Sequence, residues 1–268
     1  MQVNINKKDE HLIFNKLKDG TSFLILFAAS LLFIEAGVAA FLIPIRVLVP
    51  LKRIDITSAI KAGSVAAKYA QTHIMNLSSI MVQVIAYIFF ICVIVAVCFK
   101  MFKVEAYNFK LKLGKNILMV FAFGMAIWFA DVIVSRLYTI IGEDGTSMNQ
   151  LMIYGALNSP VMWPTIILTI FLAPIVEEII YRKFLIGTLH NKFRIPLWGA
   201  GLISAIVFAL IHVSSSLTQL IYFPQYFVLA MVLVWAYIYS GQNIYFSIGV
   251  HIFNNAISII LWAISTLI

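Results

Sequence analysis

The chain has 268 residues, of which 62% are hydrophobic and only 11% charged, and it carries a formal net charge of +8. Soluble domains usually hold about 25% charged residues, so the lipid bilayer is the solvent for most of this chain. The basic residues fall in short clusters between apolar blocks, a pattern of topology signals at an anionic membrane surface, and no nucleic-acid partner is expected.

Residues 1–22 are polar and of mixed charge, and read as a short cytosolic segment. The first apolar block runs from about Phe23 to Ile45 with Glu35 inside it, and reads as a retained anchor rather than a cleaved signal. A connection follows in which residues 55–72 suit a short helix lying at the interface, capped by Asp55 or Thr57. The second block, about Ile74 to Phe102, holds Cys92 and Cys98, too isolated for a disulfide framework or metal motif and expected to be buried thiols. A basic loop with Lys100, Lys103, Lys110, Lys112 and Lys115 leads to the third block, about Ile117 to Ile141, with Asp131 inside. After an acidic, glycine-containing loop come the fourth (about Val161 to Leu189), fifth (Leu197 to Val213), sixth (Leu220 to Tyr239) and seventh (Ile244 to Ile268) blocks.

Each block approaches the roughly 20 residues that cross a bilayer as a helix, and none alternates like a barrel strand. The fold expected is all-α: a polytopic transmembrane bundle of about seven spans, with six to eight compatible with the shorter blocks. With the N-terminus cytosolic, thirteen of the nineteen Lys and Arg residues face the cytosol, the last four being Arg182, Lys183, Lys192 and Arg194. The localisation expected is therefore an integral membrane protein with a cytosolic N-terminus.

Acidic groups at bilayer depth cost roughly 2.5–3.5 kcal/mol each, so the adjacent Glu177 and Glu178 in the fourth block ask for a reason. Spacings of i, i+4 put Glu177 with Tyr181 on one helical face and Glu178 with Arg182 on another. The fifth block ends in Phe208-Ala-Leu-Ile-His212, and the seventh opens with His251-Ile-Phe-Asn-Asn255. At 1.5 Å per residue, Glu177 lies about 18 Å from Leu189, His212 about 21 Å from Trp198, and His251 about 12 Å from Asn243. Tilted helices could bring these groups together inside the membrane, somewhat toward the cytosol.

Two mechanisms fit such a set. In the first, which needs no cofactor and is preferred, Glu177 activates water for attack on a peptide carbonyl. His212 holds the water or donates a proton, and His251 and Asn255 stabilise the oxyanion. In the second, Glu177, His212 and His251 bind zinc with an open position for water. Pro174 removes the donor that would serve the Ile170 carbonyl, and is expected to loosen the helix and widen the site. Glu178 with Arg182 reads equally well as a structural ion pair, and Tyr181 as a packing residue. Glu35 and Asp131 belong to no motif. Both could face a water-filled cavity, pair across the bundle, or sit nearer an interface.

The ordered set Glu177-Glu178-x-x-x-Arg182, Phe208-x-x-x-His212 and His251-x-x-x-Asn255 resembles the motifs of the CPBP family of intramembrane proteases, named for CAAX processing and bacteriocin processing. The likeness covers about residues 160–260. It implies a catalytic membrane core at 160–268, while the division of the preceding chain into a cytosolic segment at 1–22 and N-terminal membrane helices at 23–159 rests on hydrophobicity alone. It implies catalytic roles for Glu177, His212, His251 and Asn255, with Glu178, Arg182, Tyr181 and Phe208 in support. Members are called metal-dependent or glutamate-dependent, which leaves zinc open. The short loops look bacterial, so the expected substrate is a membrane-associated peptide or protein, such as a pheromone or bacteriocin precursor, cleaved at a bacterial plasma membrane. Two other classes compete: a non-enzymatic membrane protein giving bacteriocin self-immunity or scaffolding a sensor kinase, and, ranked last, a proton-coupled transporter. The sequence does not set an oligomeric state.

Overall fold

A computed structural model describes residues 65–143, 145–214 and 216–267; the first apolar block, Glu35 and the proposed helix start at Asp55 or Thr57 lie outside them. Among the described residues the chain is helical, with no strand. Helix α1 is Val65–Val97, α2 Phe99–Leu111, α3 Leu113–Ile140 and α4 Met148–Leu157. Helix α5 runs through Met162–Asn191, α6 is Leu197–His212, α7 Phe223–Tyr239 and α8 Ile244–Leu267. A short 3-10 turn, Leu217–Tyr222, leads into α7.

Five segments are long and apolar enough to cross a membrane: Ile80–Val97, Leu113–Ile140, Met162–Asn191, Leu217–Tyr239 and Ile244–Thr266. With the shorter apolar α6, they reproduce the second to seventh blocks. Their outward faces carry bare apolar side chains, such as Leu118 at 65% and Trp163 at 67% exposure, as lipid-facing surfaces require. The protein is an integral membrane protein built as a helical bundle.

Three local expectations need correction. The basic loop is largely helix α2, which buries Phe102 and Glu105 one turn apart and leaves Lys103 and Lys110 outside. The loop before the fourth block contains α4, begun by Ser147, whose hydroxyl accepts from the Gln150 N–H at 3.2 Å. That is a helix N-cap, and Ser-x-x-Gln is its sequence signature. Of the two free cysteines, Cys98 is buried but Cys92 is exposed on the apolar face of α1, where a bilayer covers it at no polar cost.

The core forms where α5, α6, α7 and α8 meet, around Phe208, Ile179, Ile180, Val234 and Ile248. A second cluster joins α3 to α7 and α8 through Phe123, Ile127, Leu233, Phe246 and Val250. Gly201 lets α6 approach α7 so closely that a Cβ there would drive into Val234. Such contacts suit membrane bundles, where packing rather than water expulsion holds helices together.

Candidate active site

Helix α5 is where the backbone departs from regular geometry. It passes through a π-helical stretch at Leu168–Leu172, a short α segment Ala173–Glu177, and a second π stretch Glu178–Ile186. π-Bulges are uncommon and gather at functional sites. The first follows from Pro174. The Ala173 N–H, which would serve Thr169 in an α-helix, bonds Leu168 O instead. The i+5 partner of Thr169 O would be residue 174, and proline has no N–H. The carbonyl so freed accepts from Asn255 Nδ2 on α8 at 2.8 Å. Proline therefore loosens α5 as expected, but the freed carbonyl paired across the bundle is that of Thr169, not Ile170, because the register has shifted by one. The helix continues without a break.

The two glutamates at the α-to-π junction have different fates. Glu178 is fully buried: its Oε2 lies 3.3 Å from Arg182 Nε, and its Oε1 lies 3.0 Å from His251 Nδ1. The contact to Arg182 is short enough for an ion pair but off the hydrogen-bond line, so its attraction is mainly coulombic. A carboxylate facing arginine is an acceptor only, so His251 Nδ1–H is the donor. The other imidazole nitrogen, Nε2, faces Glu177 Oε2 at 3.7 Å. Glu177 keeps 19% exposure of its side chain where Glu178 has none. His251 is thus wedged between both carboxylates, with α8 docked on α5.

His212, the last residue of α6, is held differently. Its Nδ1 bonds the Phe208 carbonyl at 2.8 Å, which places the proton on Nδ1 and leaves a lone pair on Nε2. Its ring stacks on Phe208 at 4.2 Å and on Tyr226 at 4.9 Å. Phe208 is the hub of the site: its ring also meets Tyr181 edge-on at 5.1 Å, His251 at 6.2 Å and the Arg182 guanidinium at 5.1 Å. Tyr181 is buried among these rings, and its carbonyl accepts from Ser204 Oγ at 2.9 Å. Asn255 spends one Nδ2 hydrogen on Thr169 O, while its Oδ1 accepts from Asn254 Nδ2 at 3.2 Å.

Seven of the eight residues expected at the site are joined by direct contacts into one cluster, while Asn255 meets α5 at the Thr169 carbonyl instead; two of the eight carry tasks that spacing did not foretell. Glu178 orients His251 as well as pairing Arg182, and Asn255 clamps α8 to the loosened turn of α5. A zinc ion would need three donors converging at about 2.0–2.2 Å. Among the described residues no three His, Cys, Asp or Glu side chains form such a group; His251 meets the glutamates while His212 lies between two rings. Glu177, His212 and His251 thus do not fit a three-ligand zinc centre in this arrangement.

Residues 159–257 match a family model described as type II CAAX prenyl endopeptidase Rce1-like. That segment, well under half of the chain, is similar to this family of membrane endopeptidases. The chain is also 30% identical over 152 residues to the Bacillus subtilis (strain 168) protein "Putative membrane peptidase YdiL", an alignment covering 56% of this chain and 57% of the relative. It thus spans somewhat more than half of that relative's length. No solved structure matches the chain. The matched segment contains all three motifs and the whole imidazole–carboxylate cluster.

Several groups tied to this cluster were not singled out from the sequence. Glu105 on α2 takes the Lys183 ammonium on Oε1 and the Ile244 N–H on Oε2 at 2.7 Å, and its carbonyl accepts from Asn243 Nδ2 at 2.8 Å. Asn243 Oδ1 in turn caps α8 by accepting from the N–H groups of Tyr245 and Phe246. Lys183 also bonds the Tyr237 hydroxyl, so a polar network reaches from α2 to the helix carrying His251. As the lone acid among the lysines from Lys100 to Lys115, Glu105 left a signal. Asp131 pairs across the bundle, accepting from Gln225 Nε2 at 2.8 Å.

Proposed function

We propose that this chain is an intramembrane endopeptidase in which Glu177 activates water against a peptide carbonyl. The observation that carries the reading is the division of labour between adjacent carboxylates. Glu178 is consumed by Arg182 and His251, whereas Glu177 stays partly open with an imidazole edge 3.7 Å away. A general base needs lone pairs that can reach water, and Glu177 has them.

In this mechanism Glu177 takes a proton from water as the oxygen attacks the scissile carbonyl. The lone pair on His212 Nε2 accepts the water's second hydrogen and orients it. Negative charge on the tetrahedral oxygen is met by His251 Nε2, when that nitrogen carries a proton, and by the remaining Nδ2 hydrogen of Asn255. Glu177 then returns its proton to the departing amine, and the tetrahedral intermediate collapses to a free amine and a carboxylic acid, which releases its remaining proton to water as the carboxylate leaves. No metal is used. Helices that cross the bilayer surround the site, so the substrate is a membrane-associated peptide or the membrane-embedded part of a protein. Of the thirteen basic residues that favoured a cytosolic N-terminus, Arg182 is fully buried and drops out of the topology signal. The other twelve keep that orientation, at a bacterial plasma membrane and with the site nearer the cytosolic side.

Glu177→Gln keeps the shape and removes the base. It should cut peptide hydrolysis by about 10²–10⁴-fold while the protein still inserts and folds. Membrane-peptide profiles from cells carrying wild type or Glu177→Gln measure this, and repetition with a chelator should leave wild-type cleavage intact. Turnover retained in Glu177→Gln would sink the mechanism, and a variant that still complements a deletion would favour a scaffold or immunity role.

A further inference from the structure

His212 is the only one of the three acid–base candidates without a charged partner among the described residues: its ring makes one hydrogen bond, to the Phe208 carbonyl. One such bond fixes a tautomer but leaves the ring free to swing about it, so the two flanking rings set its plane. Phe208, the inner one, is buried to 1% exposure and wedged by Tyr181 and Arg182. Tyr226, the outer one, is fixed at its far end. Its hydroxyl exchanges a hydrogen bond with Ser147 Oγ at 2.6 Å and accepts from Asn149 Nδ2 at 3.3 Å. Ser147 is fully buried and caps α4, and the Met148 N–H bonds Gln219 Oε1 at 2.7 Å, tying the same corner to the turn before α7. Ser147 and Asn149 both lie upstream of residues 159–257.

We propose that Tyr226 is a positioning residue for His212, and that Ser147 and Asn149 hold it in place from the start of α4. The inference rests on His212 acting in peptide hydrolysis. Water orientation by Nε2 depends on the plane of the ring, and a displacement of about 1 Å at a reacting group can cost on the order of 10²-fold in rate. The phenol face supplies the plane, and the Ser147–Asn149 anchor supplies the position of the phenol.

Three variants in the full chain test this, with stability in detergent checked by thermal unfolding. Tyr226→Leu removes the ring and should lower kcat about 10–100-fold with KM within about threefold. Tyr226→Phe keeps the ring and drops the anchor, and should lose only about threefold; Ser147→Ala, which leaves the Asn149 bond, should lose no more. Because Tyr226→Phe already removes the hydroxyl's bonds to Ser147 and Asn149, adding Ser147→Ala should lower kcat no further. A second readout needs no turnover. In protein with ¹⁵N-labelled histidine, the His212 ring signals, assigned with His212→Gln, should show by ¹⁵N relaxation a rigid ring in wild type and Tyr226→Phe and a mobile one in Tyr226→Leu. A His212 ring as rigid in Tyr226→Leu as in wild type overturns the inference whatever the activity. Unchanged kcat in that variant, with wild type active, overturns it as well. A loosened His212 ring in a protein that never cleaves peptide supports the positioning role and sinks the hydrolytic reading instead.

Discussion

The buried pair of Glu178 and Arg182 makes a quantitative test of how the site is held. Both side chains have no exposure, and the charges approach to 3.3 Å. Among the described residues Arg182 Nη1 and Nη2 have no hydrogen-bond partner, and the guanidinium lies against the face of Phe208 instead. Its large desolvation cost is therefore met chiefly by one coulombic contact and one cation–π contact. Removing one member of such a pair typically costs about 3–5 kcal/mol, whereas replacing both charges by neutral groups of similar volume is often close to neutral. Arg182→Met should thus shift the unfolding equilibrium by roughly a hundredfold to a few thousandfold. Arg182→Met/Glu178→Gln keeps a carbonyl oxygen for His251 Nδ1–H and strands no charge, so it should recover more than half of that loss. Equilibrium unfolding in mixed micelles, followed by tryptophan fluorescence, reads both values. Arg182→Met within about 1 kcal/mol of wild type, or a double variant as unstable as the single, would refute the reasoning.

The other expectations concern contacts between helices. Asn255→Ala strands the Thr169 carbonyl and should cost about 1–3 kcal/mol. Adding Pro174→Ala restores an N–H at the i+5 position, so the double variant should melt above Asn255→Ala alone. Gly201→Ala drives a methyl into Val234 and should cost about 1–3 kcal/mol. Gly155→Ala in α4 meets nothing within 4 Å and should gain up to about 1 kcal/mol; melting temperatures should move in opposite directions. Glu105→Gln keeps an acceptor for the Ile244 N–H and Glu105→Ala does not. Hydrogen exchange at that amide should therefore be faster in the alanine variant.

The reach of the sequence is uneven for identifiable reasons. Hydrophobic blocks marked each described span because a bilayer demands about 20 apolar residues, whatever the tertiary contacts. The motif residues were legible because intramembrane charges and imidazoles are too costly to scatter without purpose. Partners were not legible, because i, i+4 spacing speaks only of one helix. It paired Glu178 with Arg182 but could not show that His251 would enter from α8 and take the other oxygen. Tyr226 looks like any aromatic in an apolar span, and only the packing of α7 on α6 reveals it against His212. Ser147 was readable as a helix cap from Ser-Met-Asn-Gln, and was passed over because the stretch looked like loop.

The two π stretches of α5 share a design that joins backbone to site. A widened turn leaves carbonyls poorly served along its own helix, and an unserved carbonyl in hydrocarbon costs several kcal/mol. Each stretch meets a side-chain donor from a neighbour: Asn255 of α8 on Thr169 O, and Ser204 of α6 on Tyr181 O. These are the helices that also deliver His251 and His212. The irregular backbone therefore does more than kink α5 near Glu177. It sets out acceptors that the other two helices must meet, in a medium where water cannot take their place. A shift of α8 by one turn would strand the Thr169 carbonyl as it withdrew His251, and a shift of α6 would remove the Ser204 bond to Tyr181 O as it withdrew His212. Register between the three helices and assembly of the imidazole–carboxylate cluster are in this way one constraint.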